Sequence, residues 1–471
     1  MLLGLISVFI IFILILSYVS SSNVKTLEDF VSADGKLPVY LLAPVVVCSW
    51  IGGGTLIGAP AIFVDKGISG IFGDPLGTTM CLWLVALFLG KTIYREKVVT
   101  LGEYFRKRFG RQVEQVLSLA IIASYLGWSV SVIHAAQIVI QLLTGEAFGK
   151  TSAAIVSGLV ITAYTILGGM WSAALTNYII TAAVLSGLFW VFYSVSAPLG
   201  GIVPLVEIAI NQGKFTFFPD TSAGALLAQF SNLSIMMLGL MPQQDLLQRI
   251  NSATNERTVR SSHLIGGAMY LLISMVPILT AYAVKISHPD ISNHWMQKDP
   301  QFVLPMYILT YSSTAVKVCF FGALFSGLLT SGSASMLAPS VSLVENIIRP
   351  FKDITNEQAL FLSRAVVVLF ALGVTTVDIL SSDSIYQQIL NAYSVTLVLV
   401  LVPMVAGLYW KKANIKGVLF SVILGIVFWA LSNFTPSEFP GVLVGVSGSA
   451  LGMVLGSMLP SKSLNVIFRP K

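Results

Sequence analysis

The sequence predicts an all-α polytopic membrane protein, and three observations carry that prediction. Of 471 residues, 55% are hydrophobic and only 10% charged, with a mean hydropathy of +0.85, far outside the range of soluble domains. Apolar runs long enough to cross about 30 Å of hydrocarbon recur from end to end, about thirteen in all. The 27 Lys and Arg are unevenly shared between the linkers: most fall on one side, including the cluster from Lys91 to Arg111, and few on the other. This bias places that cluster in the cytoplasm, the N-terminus outside and the C-terminus inside. It also gives the net charge of +6 a partner in anionic lipid headgroups rather than nucleic acid. The expected setting is the plasma (inner) membrane, crossed many times, and a monomer suffices.

The elements follow in order. Run 2–20 has no basic leader and no Ala-x-Ala-type cleavage site, so it reads as a retained helix. The next run, 38–64, contains Cys48-Ser49-Trp50-Ile51-Gly52-Gly53-Gly54-Thr55. Three successive glycines each raise the cost of helix by roughly 1 kcal/mol against Ala, so a break is expected there. In hydrocarbon a broken helix survives only where it faces protein or a water-filled cavity, and its freed carbonyls then serve a cation or a substrate. The alternative is a glycine packing seam.

Run 71–91 opens on Gly73-Asp74-Pro75. Asp74 is either an intramembrane site residue or a helix cap. In run 113–143, Trp128 and Ser131 share a face, His134 lies at its edge and Gln137 nearly opposite. His134 is then either a packing residue or a proton carrier. Gly168-Gly169 predicts a tight turn before the run that Asn177 opens. Run 224–246 ends in Pro242-Gln243-Gln244-Asp245, where Pro242 forbids a continuous helix and makes a second broken span.

Runs two to six and seven to eleven therefore each contain five spans and each open on an interrupted one, the outline of an inverted repeat. In the ninth run, Gly327, Thr330 and Ser331 bring a carbonyl and two hydroxyls to one side of a helix. Neutral oxygens of this kind suit a hard monovalent cation, or the small residues simply let helices approach. The last two runs hold no obvious site residues and read as peripheral. Cys48, Cys81 and Cys319 are an odd, dispersed set inside spans, which argues against a disulfide framework or a metal cluster.

Four motifs, in order along about 27–412, resemble the sodium:solute symporter family. They are Trp50-Ile51-Gly52-Gly53-Gly54; Gly168-Gly169-Met170-Trp171-Ser172-Ala173 with Thr176; Pro242-Gln243 with Gln248-Arg249; and the Thr330-Ser331 stretch leading to Val344-Glu345-Asn346-Ile347. The resemblance implies a LeuT-like core of two inverted five-helix repeats working by alternating access. It divides the chain into an extra helix and link (1–37), a first repeat (38–196), an external loop (197–223), a second repeat (224–411) and two peripheral helices with a tail (412–471).

Carried over by position, the family's sodium site implies the carbonyls of Cys48, Ile51 and Gly327 and the hydroxyls of Thr330 and Ser331. Thr55 and Gln243 resemble substrate contacts, and Trp50 and Trp128 resemble aromatic positions of the choline carriers. Two positions depart from the pattern. Asn177 stands where the family commonly has Asp, at a second cation site or gate, and Gln243 stands where the choline carriers place a third ring. Two Trp faces beside Asp74 suit a solute bearing an amine.

The expected function is sodium-coupled import of a small polar organic solute such as an amino acid or amine, with sodium as the coupling ion. A proton-coupled carrier of the same fold, using Asp74 or His134, and a non-transporting solute sensor are the alternatives. The short tail after the last run leaves a sensor dependent on a separate output partner. Enzymatic activity finds no nucleophile–base set, phosphate loop or metal cluster among the polar residues.

Overall fold

The computed structural model describes residues 35–48, 50–145, 147–432, 434 and 439–460, with a few isolated positions before 16; the side chains of 167–185 and 323 lie outside the description. Helices α1 (Val39–Cys48) and α2 (Ala59–Lys66) flank the glycine segment, which turns through a widened helical loop at Gly54–Gly58. Then come α3 (Phe72–Glu96), α4 (Leu101–Phe109), α5 (Arg111–Thr144), α6 (Lys150–Ser196), α7 (Ile202–Asn211), α8 (Ala223–Gly239) and α9 (Gln244–Ser252). The remainder are α10 (Glu256–Ser287), α11 (Pro289–Lys298), α12 (Val303–Tyr311), α13 (Thr314–Ile348), α14 (Asn356–Leu380), α15 (Ile385–Leu399), α16 (Leu401–Tyr409), α17 (Ile415–Ser432) and α18 (Gly441–Met458).

Local chemistry sets many of the starts. Thr100, Ser222, Asn255, Ser313 and Ser384 each accept a main-chain N–H from the first turn of the helix they precede, which satisfies a donor the helix itself leaves unpaired. At α14, Thr355 and Gln358 close the reciprocal pair of bonds of a capping box.

Seven described helices are long and apolar enough to cross a membrane, or ten if each of three bent pairs is one span. The thirteen spans expected from hydropathy are not all found. Run 2–20 falls almost wholly outside the described residues, and the interrupted spans split into pieces such as the ten-residue α1. One expectation is corrected: the backbone of α6 stays helical through Gly168–Gly169 rather than turning there. Continuous helix keeps those amides bonded internally where the surroundings are apolar, against about 1 kcal/mol per glycine.

Packing places the glycine segment at the centre. Helix α5 lies on α13 and on α15, and α15 also meets the Gly54–Gly58 turn. Helix α10 runs against α1, α2 and α3, while α8 covers the opening turn of α3 and leans on α15. The chain before α1 is tied to the end of the second interrupted helix: Leu37 N–H donates to the Ser252 carbonyl at 2.9 Å and Thr254 N–H to the Leu37 carbonyl at 3.3 Å.

Helices α17 and α18 pack mainly on each other. A Cβ at Gly452 would lie 2.3 Å from the Phe420 carbonyl oxygen, so the two backbones touch through glycine. Their apolar windows are only 28% and 33% buried.

Candidate functional site

The first break owes its glycines to close approach. A Cβ on Gly53 would sit 2.3 Å from the Ala135 Cβ on α5, and one on Gly54 would sit 2.6 Å from the Ile389 Cδ1 on α15. Only a bare backbone fits between these helices. On the other side the segment faces α13: the Ile51 carbonyl lies 3.4 Å from where a Gly327 Cβ would stand, and the Ser331 Oγ lies 3.2 Å from the corresponding point on Gly52.

Ile51, Gly327 and Ser331 thus meet across one interface; Cys48 and Thr330, on the same two stretches of chain, are also buried. Thr330 Oγ1 donates to the Ser326 carbonyl at 3.1 Å, which spends its proton within α13 and leaves its lone pairs for an acceptor role. The chemistry of this set is neutral oxygen. No group of three or more His, Cys, Asp or Glu suited to a metal ion occurs among the described residues.

Beside this interface is a small cavity of about 30 Å³, room for one or two waters. Trp50, Thr55, Asp74, Trp128 and Ser331 all line it. Asp74 reaches it because the chain is extended at that residue (φ −130°, ψ 123°), interrupting the first turn of α3. Tyr270 on α10 donates its hydroxyl to Asp74 Oδ1 at 2.8 Å and lies 2.8 Å from Thr55 Oγ1. A phenol has one proton, so Thr55 donates and a relay runs Thr55, Tyr270, Asp74. Ser131, on the Trp128 face of α5, spends its proton on the Trp128 carbonyl at 2.7 Å.

The second break bends 44° between α8 and α9. Its polar side chains do not line the cavity; they bind protein. Gln243 Nε2 donates to Ser124 Oγ and Thr396 Oγ1, both at 3.2 Å. Gln244 Oε1 accepts from Leu101 N–H at 2.9 Å. Asp245, 1% exposed, accepts from the Trp50 indole at 3.0 Å and from the Tyr125 hydroxyl at 2.7 Å, while Arg249 Nη1 donates to its carbonyl at 2.7 Å. Asp245 therefore joins the two breaks directly. Tyr270 and Asp245 are the residues that sequence reasoning missed. Their signal, a polar group inside a long span or just after a proline, was visible, but their partners lie far away in the chain.

His134 pairs with Asp378 on α14, Nδ1 to Oδ1 at 3.0 Å, away from the cavity lining. Asn177 lies in the part of α6 whose side chains are outside the description.

Two features flank the cavity. Toward Asp65, Lys66 and Asp220 a recess of about 1000 Å³ descends to Tyr386 and Ile235, and Met236 and Ile389 take up the cavity side of the same layer. Toward the Lys91–Arg111 cluster, α4 is bolted down: Arg108 donates to the Gly407 and Trp410 carbonyls at 3.1 Å, and Thr100 Oγ1 donates to Asn346 Oδ1 at 2.6 Å.

The model of the sodium:solute symporter family matches residues 30–425. Among curated proteins the chain is 24% identical to the sodium-coupled monocarboxylate transporter 2 of Danio rerio over 426 residues, covering 87% of this chain and 68% of that protein. It is 20% identical to the human high affinity choline transporter 1, covering 81% and 67%, and 22% identical to the human sodium/iodide cotransporter, covering 93% and 72%. The chain thus spans about two thirds of the length of these relatives.

Among solved structures it resembles the substrate-bound, outward-open state of a Na+-coupled sialic acid symporter, with a TM-score of 0.79 at 17% identity over 98% of both chains. A nucleobase-cation-symport-1 family transporter in a closed conformation aligns with a TM-score of 0.56 at 13% identity, covering 91% and 93%. Both likenesses concern the fold. All of these proteins are transporters, none an enzyme.

Proposed function

This chain belongs to the sodium:solute symporter family, and from that premise we propose that it imports a small polar organic solute together with sodium by alternating access. Family membership makes it a multi-pass membrane transporter and supports sodium as its coupling ion. The sodium ion is held by the carbonyls of Cys48, Ile51 and Gly327 and the hydroxyls of Thr330 and Ser331. The observation that carries this is the meeting of Ile51, Gly327 and Ser331 at a break that only glycine permits. The solute occupies the adjoining cavity against Trp50, Thr55, Asp74 and Trp128, and Gln243 acts on it through the joint between Ser124 and Thr396.

The repeats run 38–196 and 224–411, and the two breaks face each other through the Trp50–Asp245 bond. With the Lys91–Arg111 cluster cytoplasmic, the large recess is external and the α4 bolts are internal. The conformation then presents its large recess outward, with the smaller solute cavity beyond it. One sodium ion moving through 100 mV yields about 2.3 kcal/mol, and a tenfold gradient lifts the total to about 3.7 kcal/mol. That supports solute accumulation on the order of 500-fold.

The test is tracer uptake into proteoliposomes against a pool of amines, amino acids, sugars and carboxylates, with and without a sodium gradient. Sodium-dependent uptake by the natural protein that disappears in Thr330→Ala/Ser331→Ala is the expected result. Uptake that ignores sodium and follows a pH step overturns the reading in favour of proton coupling, and binding without uptake overturns transport itself.

A further inference from the structure

We infer that the solute carries a positive charge on a nitrogen bearing at least one N–H: a small alkylammonium compound, with Asp74 as its counter-ion. The inference rests on the transport reading for its cavity and deepens it by fixing the solute's charge.

Asp74 is the one charged side chain among the described residues lining the cavity, and it is 4% exposed. Among the described residues, no Lys, Arg or His shares that lining. Two neutral hydroxyls face Asp74, that of Tyr270 at 2.8 Å and that of Thr78, whereas a carboxylate has about four acceptor positions to satisfy. Buried carboxylates are normally paired with a cation, because an unpaired charge in a low-dielectric interior is costly. Contrast Asp245, one layer away: it has an indole, a phenol and the nearby Arg249. Asp245 has a cation beside it within the protein, while among the described residues the partners of Asp74 are neutral hydroxyls.

The Thr78 hydroxyl, also in the lining, faces that carboxylate and keeps lone pairs to spare, a second acceptor for an N–H. The remaining walls describe the rest of the solute. Trp50, Trp128 and Tyr393 offer aromatic surface, with the Trp128 ring 6.4 Å from that of Tyr393, and Met236 and Ile389 offer aliphatic surface. Aromatic faces attract an organic cation and its methylenes together. They are poor ligands for a hydrated metal ion, so the walls favour ammonium over a second sodium at Asp74. A carboxylate or sugar finds no basic side chain here and meets the field of Asp74 instead.

Four probes of one size separate the charges: ethanolamine, glycine, ethylene glycol and glycolate, each used to compete for binding and uptake by the full-length protein in proteoliposomes. Ethanolamine is expected to compete best, and Asp74→Asn, which keeps the shape and the Tyr270 bond, is expected to weaken it on the order of 100-fold by leaving the cation without its counter-charge. Ethylene glycol should be unaffected by the same change.

Competition by glycolate or ethylene glycol in preference to ethanolamine overturns the inference. So does an Asp74→Asn protein that still selects ethanolamine. If Asp74→Asn abolishes sodium stimulation of every solute, the carboxylate is a cation ligand and the inference fails. The transport reading fails separately: ethanolamine selection that depends on Asp74 but never on sodium sinks symport and leaves the ammonium site standing. Sodium-driven uptake of glycolate does the reverse.

Discussion

The two breaks solve the same problem with opposite materials. At Gly52–Gly54 the backbone is bare, and what it presents is main chain: the Ile51 carbonyl against Gly327 and Ser331, in a slot where a Cβ would overlap Ala135 or Ile389. At Leu240–Gln243 the helix is turned by Pro242, and what it presents is side chain: Gln243, Gln244 and Asp245 bonded to α5, α15, Trp50 and the start of α4. Main-chain oxygens are neutral and fixed, which suits a small hard ion that must bind and leave. Amide and carboxylate side chains bridge elements and hold them in register. The first break is therefore read as the binding edge and the second as the joint that moves with it.

The largest expected effect on uptake is at the first break. Gly53→Ala forces a methyl to within 2.3 Å of the Ala135 Cβ, one rigid atom against another. Overpacking of this kind costs about 1–3 kcal/mol, and here it also pushes the binding edge away from α13. Thermal unfolding should drop by several degrees and uptake should be lost; Ala135→Gly in the same chain should restore both in part. No recovery in the double variant would mean that the glycine is needed for its conformation rather than for the approach of α5.

Next is the joint. Asp245→Asn removes the charge that receives Trp50 and Tyr125 and that lies 3.9 Å from Arg249. Taking one partner from a buried charged pair costs about 3–5 kcal/mol, and the pair's long separation sets the expected loss at the lower end of that range. Trp50→Phe, which deletes only the indole bond, should cost about 1.5–3 kcal/mol. If the two losses sum in the double variant, Trp50 and Asp245 act independently and the breaks are not joined; a shortfall in the double variant is the coupling itself.

How much of this was legible beforehand follows the same division. Backbone breaks announce themselves: Gly52-Gly53-Gly54 and Pro242 are local rules, and both breaks occur where those residues stand. Apolar length gave the helical class, and the spacing of Gly327, Thr330 and Ser331 placed them on one buried stretch of α13. Pairing is not local. Nothing in the sequence connects Asp74 to Tyr270, 196 positions on, or His134 to Asp378, 244 positions on.

The helix at Gly168–Gly169 shows the converse, since a local turn signal can yield to the need to keep amides bonded. Gln243 teaches a related lesson. Its place beside a proline marked it as polar and important, but its amide is used up by Ser124 and Thr396, which only the fold could show.

The smallest effects sharpen the comparison most, because they should cross. Gln243→Leu leaves Ser124 and Thr396 without their shared amide, and each lost neutral bond is worth about 1 kcal/mol. Stability should fall modestly while the sodium concentration for half-maximal uptake stays put, since no atom of Gln243 lines the cavity or the α13 interface. Ser331→Ala does the opposite. Its hydroxyl faces Gly52 and is not a strut between helices, so unfolding should move by less than about 0.5 kcal/mol while half-saturation by sodium rises severalfold. Measuring both quantities for both variants gives four values. If Gln243→Leu shifts the sodium requirement and Ser331→Ala shifts only stability, the assignment of binding to main chain and joining to side chain is the wrong way round.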